Sequence, residues 1–267
     1  MELDPGVVAW LLVAEVLYVR AIRVLRARGV GIPGFQQACW HAGIALQVVG
    51  LLSPIDALGD DLLTAHMAQH LLIADLAAPL LLAGLRTPVL VFLLPRPALV
   101  ALAGRHRLRR TIRRLRQPLV AIPVYVVVLY GWHVGFAFEA AVKHPALHAL
   151  QHVSFIAAGM LVWWPALEPK RRRLHGDLWK IGHLLGARVL GMFLGMAFVL
   201  IRVPVYADVY GSGERALGLD ALADQQMAGA LMVVTDILLM VFILIFFFVH
   251  AAREQDRTDA RERAAAT

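Results

Sequence analysis

The chain has 267 residues, 60% of them hydrophobic, a mean hydropathy of +0.67 and a formal charge of +7. That apolar share exceeds the roughly 45–50% of soluble domains and calls for several bilayer-spanning helices of about 20 residues each. The single cysteine, Cys39, excludes an intrachain disulfide framework and a CxxC metal motif, and the acidic opening MELDPG lacks the basic stretch of a cleaved signal peptide.

The expected fold is all-α, a polytopic membrane bundle of about seven transmembrane helices. The first covers about 6–25, and Arg20, Arg23, Arg26 and Arg28 cluster at its far end; the second covers 35–52. The third, 62–85, opens with HMAQH, His66 to His70. The next apolar stretch, TPVLVFLLPRPALVALAG, is broken by Pro95, Arg96 and Pro97, so 87–103 reads as a surface or re-entrant piece. The fourth span, 118–138, contains Trp132 and His133. The fifth, 145–165, opens with HALQH, His148 to His152. The sixth, 183–203, carries Arg188 and the small-xxx-small stretch GMFLGM, and the seventh, 227–249, follows DQQMAG. Residues 1–250 make one transmembrane domain, and the mixed-charge tail 251–267 is expected to be disordered in the cytoplasm.

Charge orients these spans. With the N-terminus outside, 22 of the 26 Lys and Arg residues fall on the inner side: four after the first span, nine from Arg86 to Arg116, five from Lys170 to Lys180 and four in the tail. Such a bias follows the positive-inside rule, so the N-terminus is out, the C-terminus is in, and the high pI calls for no nucleic-acid partner. Trp132, Trp163 and Trp164 suit interfacial belts. Arg188 is expected to pair with Asp75 or Asp236.

This topology brings histidines to one level. His66 and His70 lie roughly 6 and 12 Å below the outer end of the third span, and His148 and His152 roughly 5 and 10 Å below that of the fifth. His133, on the outward-running fourth span, lies roughly 8 Å below its exit. Residues four apart share a helix face, so each pair can offer two imidazoles to one ion. Clustered polar side chains in a bilayer are costly and mark function, although a single one is often an interhelical hydrogen-bond donor. Gln69 and Gln151 precede the second histidine of each pair and could fix a ring tautomer; Met67 adds a thioether of the kind that selects Cu(I). Asp224 caps its own helix or faces the cluster across the bundle.

The ordered motifs SPID, AHMAQHLL, APLLLAG, WH, HALQH, WWP and DQQMAG, from about Ser53 to Gly229, resemble the CtaG family of cytochrome c oxidase assembly factors, the multi-span bacterial membrane type. The chain departs from that family's usual pattern in WHVGFAFEA and in ALMVVTD. The resemblance implies maturation of a haem-copper oxidase through copper handling. It carries over His66, His70, His133, His148 and His152 as metal ligands, and Asp224 and Gln225 as an outer-loop motif. Copper, as Cu(I) or Cu(II), is then the expected ion, with zinc as the alternative. The partners are oxidase subunits and the bilayer of the bacterial plasma membrane, with homodimerisation left open. No bond in a substrate is made or broken, so no enzyme is expected. Three other readings compete: a bis-His b-type haem electron carrier, a metal permease continuing through His41, Asp75 and His183, and a subunit-holding chaperone with structural histidines.

Overall fold

The first helix starts where the chain supplies its own cap. Asp4 accepts hydrogen bonds from the Gly6 and Val7 amides, Pro5 takes the first helical position, and α1 runs Pro5–Ala27. This computed structural model describes residues 4–167, 178–211 and 218–266, and among them every regular element is helical. The basic run Lys170–Arg173, His175 and Arg215 lie outside the described residues.

Helices α2 (Gly34–Leu52) and α3 (Pro54–Gly59) follow, meeting at Ser53, whose side chain caps α3. The expected third span is one continuous path of 22 residues, Leu63–Gly84. It is built from α4 (Leu63–His70), a π-helical turn (Leu71–Leu76) and α5 (Ala77–Gly84). The interrupted stretch after it forms only two short helices, α6 (Val89–Phe92) and α7 (Arg96–Gly104). Then come α8 (His106–Leu115), α9 (Pro118–Trp132), α10 (Gly135–Lys143) and α11 (Pro145–Leu167). The chain closes with α12 (Leu178–Leu200), α13 (Ala207–Tyr210) and α14 (Ala221–Ala266).

Four helical segments among the described residues are long and apolar enough to cross a membrane: Leu63–Gly84, Pro145–Leu167, Trp179–Leu200 and Ala221–Arg257. A fifth would be the pair α8 and α9, which meet at 83°. The first two expected spans coincide with α1 and α2, which are not among those four. The expected fourth span does not run unbroken to Phe138. It stops at Trp132, Val134 is extended, and α10 starts afresh at Gly135. Gly131 and Gly135 bracket the break, and glycine is among the weakest helix formers. At the other end of the chain, α14 continues through the mixed-charge tail to Ala266, where Gln255 donates to Asp259 one turn on at 2.9 Å.

Polarity is distributed for an apolar solvent. Leu119, Phe136, Val153, Leu238 and Phe248 face outward, while Gln47, His66, Gln151, Arg188, Asp224 and Asp236 are buried. Trp163 is also buried, in the core rather than at a rim, because the bundle closes over that face of α11. Arg188 bonds both expected partners: its Nη1 donates to Asp75 and, at 3.1 Å, to Asp236, while Nη2 donates to the Tyr125 hydroxyl at 2.7 Å. Two close backbone approaches set the helix positions. A Cβ on Gly159 of α11 would lie 2.5 Å from the Ala74 carbonyl oxygen in the π-helical turn. One on Gly229 of α14 would lie 2.6 Å from that of Gly195 on α12, a glycine of the GMFLGM stretch. The first approach presses the HALQH helix against the HMAQH helix.

Candidate metal centre

Helix α4 begins without a side-chain cap of its own, and Asp224 of α14 supplies one. Its carboxylate accepts from the Leu63 amide at 2.7 Å, the Thr64 amide at 2.9 Å and the Thr64 hydroxyl at 2.7 Å. The start of α14 is capped instead by Asp220, which accepts from the Leu222 and Ala223 amides at 2.9 Å each. Asp224 therefore anchors the histidine-bearing helix rather than its own.

One turn below that anchor, the two pairs meet. The ring centroids of His66 and His70 are 4.3 Å apart, those of His148 and His152 4.2 Å. Across the helices, His66 stacks on His148 at 5.1 Å and 14°, and His70 meets His152 edge-on at 5.3 Å. One ring nitrogen each of His66, His70 and His148 lies within 4.8 Å of the other two. Nitrogens about 2.0–2.1 Å from a tetrahedral ion sit about 3.3 Å apart, so shifts on the order of 1 Å would close three imidazoles onto one metal.

The hydrogen bonds leave several of these ring nitrogens without a protein partner. Nε2 of His66, His148 and His152 and both ring nitrogens of His70 are buried without a hydrogen-bond partner. Buried polar atoms are otherwise almost always satisfied. Tyr210 donates to the Gly59 carbonyl at 2.6 Å, so its oxygen, 3.3 Å from His66 Nδ1, is left to accept that ring's proton. His66 then holds its Nε2 lone pair free. The same logic applies to His133, whose Nδ1 lies 2.7 Å from the Leu129 carbonyl. A carbonyl only accepts, so Nδ1 carries the proton, and the unpartnered Nε2 keeps its lone pair. His133 makes no ring contact with the other four histidines; its ring neighbours are Phe138, Phe155 and Phe198.

The accessory residues take separate places. Gln69 donates to the Asp56 carboxylate at 2.5 Å, not to a ring, while its Oε1 has no partner. Gln151 is fully buried with neither side-chain atom bonded. Gln225 accepts from the Val205 amide at 2.7 Å and so pins the segment after α12. Met67 is buried and faces a small cavity below the histidines. At the mouth of the cluster stand Asp56 and Asp60, whose electrostatic fields reach His148. Burial, reinforced by Asp56, raises the Asp60 carboxyl above the usual carboxylate range, and His148 opposes this. Sequence spacing did not single out Tyr210 or Asp56, because each reaches the histidines from another element.

The pattern of these motifs is shared. The sequence profile described as "Cytochrome c oxidase caa3 assembly factor (Caa3_CtaG)" matches residues 16–254. The chain belongs to that family. Both histidine pairs and Asp224 fall inside the matched region. The chain is also 24% identical, over 253 residues, to an uncharacterized protein of Mycobacterium bovis and to one of Mycobacterium tuberculosis. Those alignments take in 92% of this chain but 38% of each relative, so the chain spans less than half the length of the curated relatives it matches. No solved structure matches.

Proposed function

We propose that this family member is a seven-pass protein of the bacterial plasma membrane that binds copper at its outer-leaflet histidine cluster and passes it to a haem-copper cytochrome c oxidase during assembly. In this reading α1 and α2 add two spans to the four apolar ones and α9 the fifth. The N-terminus lies outside, and the arginine-rich α8 lies along the inner surface, as its 83° bend from α9 permits. The observation that carries the copper reading is the convergence of His66, His70 and His148, with ligand nitrogens within 4.8 Å of one another and no protein partner for their lone pairs.

Other readings fit less well. A bis-His haem needs its two rings on opposite sides of a macrocycle; the rings of His70 and His148 are 6.5 Å apart, but His66 and His152 each pack against both of them at 4.2–5.3 Å and fill the space a macrocycle would take. A permease needs free donors continuing inward, but Nε2 of His183 bonds the Val162 carbonyl at 2.9 Å and Asp75 is held by Arg188. His41 is drawn to Glu15 at 3.2 Å. A holding chaperone would need no buried, unbonded imidazoles.

The test is metal analysis with X-ray absorption on purified protein, comparing the wild type with a His70→Ala, His152→Ala double variant. Imidazole scatterers around bound Cu(I), lost in the variant, are expected. Folded wild type that binds no copper, or binds it without imidazole ligands, overturns the reading. A Soret band in the purified protein favours the haem alternative.

A further inference from the structure

Beneath the trihistidine group lies a cavity of about 30 Å³, enough for one small ion or one water. Its polar and soft lining is Met67, His70, His133, Met232, Asp75 and Tyr125. None of His66, His148 and His152 reaches it. Two helix periodicities explain the division. With His66 at the reference direction, His70 lies about 40° round the helix and Met67 about 100°. His70 thus stands between the face that meets α11 and the face that meets the cavity. Met232 arrives from α14 and His133 from the end of α9.

The donor set is unlike the one above it. Met67 and Met232 are buried thioethers, with 1% and 5% exposure, and a thioether is a soft, neutral ligand. His133 is buried, its Nδ1 proton is fixed on Leu129, and its Nε2 has no partner. His70 has both nitrogens unpartnered, so it can serve either chamber. On the cavity wall Asp75 is paired with Arg188, whose guanidinium also bonds Asp236. The Asp75 carboxylate is held by Arg188 and supplies field rather than a ligand bond.

From this we infer a second metal site, selective for Cu(I), formed by Met67, Met232 and His133 with His70 as the residue shared with the trihistidine site. It rests on the copper reading above and extends it: copper arriving at imidazoles near the outer mouth can move one residue inward, to a softer chamber that retains the reduced ion and rejects Zn(II). No electron is transferred and no bond other than metal–ligand bonds changes.

The experiment uses the protein carrying Cys39→Ser, so that any sulfur around the metal is a thioether. Anaerobic Cu(I) titration against a colorimetric chelator gives stoichiometry, Cu K-edge absorption gives ligand type, and Zn(II) titration reports the trihistidine site alone. The parent is expected to take two Cu(I), His70 serving only one of them at a time and the outer ion being held by His66 and His148, with sulfur scatterers, and one Zn(II). A Met67→Leu, Met232→Leu variant is expected to take one Cu(I) with nitrogen scatterers only and to keep its Zn(II) affinity, which also certifies its fold. A single Cu(I) held only by imidazole in the parent overturns this inference and leaves the copper reading standing. Sulfur scattering that survives in the double variant also overturns it. Parent protein that binds neither ion overturns both.

Discussion

Thr64 donates its amide and its hydroxyl to the carboxylate of Asp224, 160 residues further along the chain, at 2.9 and 2.7 Å. One carboxylate on α14 thereby terminates the helix that carries His66 and His70. The link couples the placement of two candidate ligands to the packing of α14 on α12.

Replacing Asp224 by Ala strips the cap from α4. Loss of such a cap costs about 0.5–2 kcal/mol, so the variant's unfolding midpoint in detergent should fall. Zn(II) affinity should fall with it, since the first turn holding His66 frays. Asp220→Ala should lower stability by a similar amount and leave Zn(II) affinity alone, because it caps α14 rather than α4. Equal losses of Zn(II) affinity in the two variants would contradict this assignment.

Tyr210→Phe removes the oxygen that receives the His66 ring proton while keeping the ring. Partners of this kind typically contribute 10–100-fold to metal affinity. A competition titration should show Zn(II) bound about 10-fold more weakly, with stoichiometry unchanged. No change in affinity would mean that His66 is oriented by its ring contacts alone.

Asp56 and Asp60 stand at the mouth and should draw cations inward. The double change to Asn should slow metal association at low salt, with the difference shrinking as ionic strength rises. Because burial and Asp56 raise the Asp60 carboxyl, it takes up a proton at a higher pH than an ordinary carboxylate. Its share of the steering is therefore present at neutral pH and is lost as pH falls through a range above the usual value of about 3.9. Stopped-flow association rates across pH, wild type against Asp60→Asn, check the sign: the two should converge on acidification.

Arg188 is 2% exposed and faces two carboxylates. Arg188→Met should destabilise the bundle by about 3–5 kcal/mol, because it strands two buried acids. Adding Asp75→Leu and Asp236→Leu should recover most of that loss. Thermal unfolding of the single and triple variants measures it, and a triple variant no more stable than the single one would refute the account.

The i,i+4 histidine pairs were legible because helical periodicity is a local property: HMAQH and HALQH each put two rings on one face wherever the helices lie. The shared depth of the pairs followed from apolar run lengths and the asymmetry of Lys and Arg. The small-xxx-small glycines of GMFLGM announced a close crossing, and Gly195 makes one against Gly229. The Trp132–His133 stretch read as mid-helix because its neighbours are apolar, yet two flanking glycines let the backbone turn extended at Val134.

By itself, then, the sequence determined an all-helical, membrane-like chain of this family with two paired-imidazole faces, since those depend on residue spacing and on the span a bilayer demands. Tertiary packing decided what those faces meet. It set the His66–His148 stack through the approach of Gly159 to Ala74, and it brought Asp224 to Thr64 across the bundle. It also left the His66 Nε2 lone pair free by giving its Nδ1 proton to Tyr210. Each of these is a contact between elements distant in the chain or a competition for one proton, and neither is written in the spacing of residues along one helix.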